Sequence, residues 1–263
     1  GRRPDPPPGF VSDAIVDNRL VPLRCRLDEE QRQWAVEGGL RVAEALEATA
    51  RTLAPEDREY TVAGQLAVHA LTRGVEPIVN LVGGDARRGR FRHLMPTDRR
   101  VGRTVILSLG GRYRGLVLSA TRMVHFGEMS EALEREYDAL CRVATAMAAA
   151  SAPGVSLASV WEHTVAQYVR EGYPDAWRQH HQGGVAGYRS REIRMRPDST
   201  EVLNGGYLIA WNPTLPGVKV EDTALLDDDG GWRWLTRTAN TPIRSIKWGG
   251  KSWKWADIIR RTS

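Results

Sequence analysis

Residues 91–127, FRHLMPTDRRVGRTVILSLGGRYRGLVLSATRMVHFG, decide the fold. Two apolar runs, Thr104–Leu109 and Gly115–Met123, flank GGRYRG, and glycines between two strand-like runs mark a β-hairpin. Upstream, the strand-like Pro77–Val82 leads through a Gly-Gly-Asp turn into the basic segment ARRGRFRHLMP. Before it, Trp34, Leu40, Ala43, Leu46 and Ala50 recur at helical spacing. Asp28 with two following glutamates suits a helix start and Pro55 lies just past the end, so residues 28–53 are predicted helical. A second helix runs from Glu59 to Thr72 and stops at Gly74. Residues 1–27 are proline-rich at first; the first nine read as a flexible arm and the rest as an irregular or short-strand entry.

Downstream of the hairpin, Met129–Ala150 reads as a long helix with an alanine-rich face, and Ser156–Arg170 as another after Pro153-Gly154. Residues 175–192, DAWRQHHQGGVAGYRSRE, break that pattern. Gly183, Gly184 and Gly187 would each cost a helix about 1 kcal/mol against alanine. They point to a tightly bent backbone that lets imidazoles and an Arg/Glu pair line a cavity. A strand near Glu192–Met195 follows. A second hairpin then pairs Gly206–Asn212 with Val218–Leu226 across PTLPG, a turn spans Asp227–Gly231, and Trp232–Arg237 returns as a strand. The tail IKWGGKSWKWADIIRR alternates tryptophan and lysine. Such a pattern serves either as a platform for stacking bases or as a strand whose tryptophans cap the core. The order helix, helix, hairpin, repeated twice, suggests two related αβ halves, with an arm at 1–27, a main domain at 28–237 and a packed tail at 238–263.

The bulk numbers describe an ordinary globular chain. Its 263 residues allow a sizeable core, and 41% hydrophobic with 26% charged content is typical. A formal charge of +5, partly at the two ends, gives little reason to expect nucleic acid as a partner. The two cysteines, Cys25 and Cys141, have no metal-type spacing. They suit a reduced, cytoplasmic protein better than a disulfide scaffold. No run approaches the roughly 20 apolar residues of a membrane span, and no leader is evident, so a soluble protein is expected.

Five strings in order resemble the pita-bread family of creatinase, prolidase, aminopeptidase P and methionine aminopeptidase. Residues 91–127 resemble that family's pocket histidine, hydrophobic strand, hairpin and Thr-Arg pair. PGVSLASVWEHTVAQYVREGY (153–173) is similar to its following helix, HHQGGVAGY (180–188) stands where the family writes Gly-His-Gly-Ile-Gly, LNGGYLIAWNP (203–213) falls at its Glu-Pro, and KVEDTALL (219–226) matches its last Val-Glu-Asp strand. The resemblance covers roughly residues 28–237. It implies an α+β fold of two αβ halves around a curved antiparallel sheet, and a homodimer is among the assemblies it suggests. It also implies a site for two divalent metals held by two aspartates, a histidine and two glutamates. Aligned on these strings, the aspartates fall on Ser108 and Ser119, the histidine on Gly184 and the first glutamate on Asn212, while the last is kept as Glu221. One carboxylate with hydroxyls and an amide supplies too little charge for a hard divalent pair. The expectation is therefore no metal, no cofactor and no metallopeptidase activity.

Several ionisable groups remain. His93 falls on the family's pocket histidine, which in creatinase shuttles protons without metal; otherwise it is a surface residue of a basic loop. His180 and His181 either face that pocket or serve the loop. Arg191 replaces a second pocket histidine, where a guanidinium suits an anionic substrate group or pairs with Glu192 structurally. Lys219, two residues before Glu221 on one strand face, either pairs with it or reaches the ligand. Glu192, which with Glu221 would bind a cationic nitrogen, and Asn212, Ser108, Ser119 and Tyr188 complete the expected substrate-binding set. No base stands beside either serine in sequence, which argues against a serine nucleophile. The expected function is metal-independent acid/base chemistry (C–N hydrolysis, elimination or isomerisation) on a small amino-acid-like or guanidino-type molecule. His93, His180, His181 and Glu221 would carry the reaction. The competing expectation is an inactive pseudo-peptidase that binds a peptide or protein.

Overall fold

A computed structural model of the chain describes residues 7–11 and 13–262. The first six residues of the expected arm lie outside them. The entry segment differs from expectation, because Asp13–Cys25 forms a helix, α1, with Pro22 inside it. An interior proline argues against a helix locally, and α1 is held by tertiary contacts instead. Cys25 is fully buried, and the Arg24 guanidinium donates to Glu192 at 2.9 Å.

Helix α2 (Glu29–Thr52) begins at a reciprocal cap. The Asp28 carboxylate accepts the Gln31 N–H at 2.8 Å, and the Asp28 N–H donates to the Gln31 side chain at 2.9 Å. Helix α3 (Glu59–Leu71) and strand β1 (Glu76–Gly83) follow, then a single helical turn, α4 (Asp85–Arg88), where only a turn was expected. Strands β2 (Thr104–Tyr113) and β3 (Leu116–Phe126) form the predicted hairpin. Its Arg114-Gly115 connection has φ of 48° and 89°, the left-handed pair that matches strand twist in a two-residue turn. Helices α5 (Glu131–Ala150) and α6 (Leu157–Arg170), a 3-10 turn at Ala176–Gln179, and strands β4 (Gly183–Ala186) and β5 (Ile193–Arg194) come next. The second hairpin pairs β6 (Tyr207–Trp211) with β9 (Asp222–Leu226), and a small β7–β8 ribbon (Thr214–Leu215, Val218–Lys219) lies between them. β10 (Trp232–Trp234) returns along β9. In the tail, β11 (Ile243–Trp248) and β12 (Lys251–Ala256) turn over Gly249-Gly250, and β13 (Ile259–Arg261) adds to β3 in parallel.

Two sheets result, ordered β1-β2-β3-β13 and β10-β9-β6-β4-β5. Their strands are apolar on both faces because the period-2 alternation feeds two cores. Val105, Leu107, Leu208 and Ala210 enter one core with Leu46 of α2 and Leu66 of α3, whereas Ile106, Met123, Ile209 and Trp211 enter the other with Leu140 of α5 and Val160 of α6. The sheets are tied where β3 meets the β9 segment. The Thr121 N–H donates to the Glu221 carbonyl at 2.9 Å and the Ser119 N–H to the Thr223 hydroxyl at 2.8 Å. Buried Arg122 pairs with Asp222 at 3.0 Å, and Asp222 also receives Arg237 at 2.9 Å. In the tail hairpin Trp255 is buried and donates its indole N–H to Thr145 at 2.8 Å, while Lys247, Lys251 and Lys254 are exposed. Among the described residues no helix is long and apolar enough to cross a membrane.

Candidate active site

The alternation that splits the two cores also builds the site. On β2, Ser108 shares a face with Ile106; on β3, Ser119 and Thr121 share one with Met123. Polar residues on these otherwise apolar faces open a cavity of about 230 Å³. Val79, Leu81, Leu109 and Gly110 supply its apolar wall; its polar lining is His93, Ser108, Ser119, His180, His181, Ser190, Arg191, Arg194, Asn212, Lys219 and Glu221. A larger hollow of about 940 Å³ adjoins it, shares Arg191 and Arg194, and is walled mainly by α1 and the 196–204 loop, with Glu192, Ile193 and Tyr207. The chemistry concentrates in the smaller one, where the imidazoles and Glu221 are.

Glu221 is the one carboxylate among the described lining residues, and both of its oxygens are engaged. Oε2 receives the Lys219 ammonium at 2.8 Å and the Thr121 hydroxyl at 2.9 Å, and Oε1 receives Arg191 at 3.1 Å. Thr121 is in turn 2.7 Å from the Ser108 hydroxyl, and Lys219 reaches Ser108 at 3.4 Å. Burial alone would raise the Glu221 carboxyl, but the Lys219 and Arg191 charges and the hydrogen bonds from Lys219 and Thr121 override it and hold the group at about 2. Glu221 is therefore an internal counter-ion to two side-chain cations.

The three histidines come together from two segments. His93 sits in the loop after α4, half in solvent; His180 and His181 follow the 3-10 turn, the first buried and the second partly so. Ring centroids lie 4.9 Å apart for His93–His180 and 4.4 Å for the stacked His180–His181 pair. The Arg92 guanidinium ties one segment to the other by donating twice to the Gln179 side chain, at 3.0 and 2.7 Å. Gln182 braces the second segment through the His180 and Trp177 carbonyls and accepts from Tyr168 at 2.9 Å. Burial first, then the Lys219 charge, pushes His180 down to about 2. Burial and the Arg191 charge push His181 down to about 4, and His93 is lowered for the same kinds of reason. All three imidazoles are neutral near pH 7. No metal ligand is expected from the sequence, yet one ring nitrogen from each of these histidines lies within 4.8 Å of the others.

Buried polar atoms without a hydrogen-bond partner are uncommon in folded proteins and are found both in and outside this cavity. Of twelve such atoms among the described residues, four belong to this lining: His180 Nδ1, His181 Nδ1, Arg191 Nε and Asn212 Oδ1. Arg194 makes no ion pair among the described residues.

Two expected site residues lie elsewhere. The Tyr188 hydroxyl accepts from Gln31 at 2.8 Å and its ring packs on Gly115, outside the cavity, because the bend at Gly187 turns it toward the β2–β3 connection. Glu192 has a fully buried side chain that pairs with Arg24 and accepts the Arg189 N–H, so it anchors α1 rather than lining the cavity. It does not pair with Arg191. Nothing in the sequence singles out Arg194, Ser190 or Thr121 as part of the site. Arg194 stands at the end of a two-residue edge strand whose facing could not be read from so short a run. Thr121 was visible only as half of the Thr-Arg pair.

A carboxylate-held metal pair does not fit these residues. Glu221 is already neutralised, and Ser108, Ser119 and Asn212 offer neutral oxygens. Gly184, φ 155°, has no room for a side chain, since a Cβ there would lie 1.9 Å from the Ile193 carbonyl oxygen. The backbone of β5 occupies the path a histidine would need.

Comparison with known proteins supports the same fold. Residues 37–232 match metallopeptidase family M24. A Xaa-Pro dipeptidase from Pyrococcus furiosus is 25% identical over 241 residues, covering 87% of this chain and 66% of that protein; one from Pyrococcus horikoshii is 24% identical with the same coverage. The chain thus spans just under two thirds of the length of these curated relatives. The solved prolidase of Pyrococcus furiosus superposes with a TM-score of 0.77 at 22% identity, over 88% of this chain and 75% of that one. An X-Pro aminopeptidase from Thermotoga maritima gives 0.77 at 17% identity, over 93% and 67%. The architecture is the pita-bread fold, mixed in helix and strand.

Proposed function

Since the chain belongs to metallopeptidase family M24, we propose that it is a hydrolase of a small amide bearing a carboxylate, dipeptide- or amino-acid-like, that works without a carboxylate-held metal pair. The observation that carries this is the charge of the cavity. Glu221 is neutralised internally, while Arg194 and the orphaned Nε–H of Arg191 remain to donate to an anionic ligand. A planar guanidinium suits a carboxylate. A guanidino cation, the other class suggested by the likeness to creatinase, would meet three cations and no available carboxylate. The relatives' names, Xaa-Pro dipeptidase, agree with an amide substrate carrying a free carboxyl end. Hydrolysis delivers the hydroxide of a water to the acyl carbon and its proton to the departing nitrogen. With Glu221 engaged, activation of that water falls to the three histidines, of which His180 and His181 each keep an unpartnered Nδ1 in the cavity.

Calorimetry with amino acids, dipeptides and their C-terminal amides tests the binding half. Free carboxylates are expected to bind. Amidation or Arg194→Ala should weaken binding about 10-fold or more, the value of a charge-assisted hydrogen bond. Preference for a guanidino compound, or Xaa-Pro cleavage that needs two metal equivalents and is lost in Glu221→Gln, would sink the proposal. A second reading, a binding module without turnover, is favoured by the surroundings of Ser108, whose hydroxyl is held by Thr121 and whose neighbour Lys219 is engaged as an ammonium by Glu221. Carboxylate binding with no amide cleavage across the dipeptide panel would select it.

A further inference from the structure

Three features of the histidine cluster are left unexplained by a site that only binds a carboxylate. One nitrogen from each of His93, His180 and His181 lies within 4.8 Å of the other two. His180 is 92% buried, by its 8% relative exposure, and its Nδ1 has no hydrogen-bond partner; neither has the Nδ1 of His181. A buried imidazole nitrogen left desolvated and unpaired is unfavourable, and both are available to a ligand that accepts a lone pair. We propose that His93, His180 and His181 bind a single divalent transition-metal ion of the zinc class.

Neutral imidazole is the ligating form, and all three rings are neutral near pH 7 because burial and the neighbouring cations oppose their protonation. Around a tetrahedral ion at about 2.0–2.1 Å per nitrogen, the donors sit about 3.4 Å apart. The present spacing of up to 4.8 Å therefore closes by roughly 1.5 Å, within reach of side-chain rotation by the partly exposed His93. The backbones carrying the rings are already fixed to each other through Arg92–Gln179 and Gln182. Three histidines and one open position make a site of the type that activates water or accepts an anion.

The adjacent Lys219, Arg191 and Arg194 decide what fills the open position. Repulsion from these cations disfavours a bare dication, so the fourth ligand is an anion, hydroxide or the substrate carboxylate. Only this last point rests on the proposed function. The donors differ from the Ser108, Ser119, Gly184 and Asn212 positions where the family's pair would be held, and Glu221 takes no part.

The test is titration of metal-stripped protein with Co²⁺ and Zn²⁺, followed by cobalt visible absorption and by metal analysis after dialysis. One equivalent per chain with an intense four-coordinate cobalt spectrum is expected. His93→Ala and His180→Ala should each weaken binding about 100-fold or more, beyond the 10–100-fold of an outer-shell change, and Glu221→Gln should leave one equivalent bound. Because His93 is half exposed, its variant should fold even where His180→Ala does not, and a circular dichroism melt checks this. No binding, or two equivalents that survive His93→Ala and vanish in Glu221→Gln, would overturn the site. Adding acetate or a dipeptide to the cobalt form separates the two proposals. A perturbed spectrum supports the carboxylate reading, and an unperturbed one removes that reading while leaving the ion bound.

Discussion

Lys219 and Glu221 stand two residues apart with their charged atoms 2.8 Å apart, and Arg191 reaches the other carboxylate oxygen from a distant segment. Removing one member of a buried set leaves the rest uncompensated. Lys219→Met is expected to lower stability by about 3 kcal/mol in urea unfolding. In the double variant with Glu221→Gln the loss should fall short of the sum by more than about 1 kcal/mol. Strict additivity would mean the pair is solvated. Gly184 gives a sharper expectation. Gly184→Ala forces a Cβ to 1.9 Å from the Ile193 carbonyl oxygen, so it should cost more than about 4 kcal/mol or abolish soluble expression. A wild-type melting temperature would show that β4 and β5 do not pack as described. At this scale the family resemblance put Ser108, Asn212 and Glu221 at one site and strand alternation put Lys219 beside Glu221, and all four line the cavity. The sequence could not show that Glu192 faces Arg24 or that Tyr188 faces Gln31, since both contacts cross more than 150 positions of chain.

Elements with strong local signals were legible. The capping residues at Asp28, the helical spacing through Ala50 and the glycine-bearing turn of the β2–β3 hairpin each encode their structure within a few residues. α1 was not, because its Pro22 opposes a helix locally while Cys25 and Arg24 stabilise it through distant partners. The tail hairpin was ambiguous for another reason: alternating Trp and Lys describes a nucleic-acid platform and a core cover equally well. In the structure Trp255 is buried against α5 and bonded to Thr145, and Arg237 stacks on Trp234 at 4.1 Å. Trp255→Ala is expected to cost about 3–5 kcal/mol by thermal or urea unfolding. A loss below about 1 kcal/mol would show that the hairpin is not part of the core.

For the molecule as a whole, the buried histidines couple stability to pH. In the metal-free protein His180 and His181 are held at about 2 and about 4, below the ordinary value of 6.5 that they regain on unfolding. The unfolded chain therefore takes up protons first. The stability from keeping both rings neutral is fully present above about pH 6.5 and is lost as the pH falls, through about 4 for His181 and about 2 for His180. Glu221, at about 2 against an ordinary 4.5, adds its own loss only below about pH 4.5. The urea midpoint should decline between neutral and mildly acidic pH, with a slope on the order of 1 kcal/mol per pH unit for each histidine. A flat profile would mean that water reaches both rings.

What the sequence determined alone was periodicity and punctuation, and with them the order helix, helix, hairpin repeated twice and the polar residues set on apolar strand faces. Those signals are local, so they survive without knowledge of the fold. Which charges meet was decided only in three dimensions. Lys219 and Arg191 closing on Glu221, Arg194 turned to the cavity, and His93 brought beside His180 and His181 all depend on two sheets docking through β3 and the Glu221–Asp222 segment. A Coulomb interaction of that strength exists only once burial has excluded water and distance has fallen to a few ångströms, and neither quantity is written in any one stretch of chain.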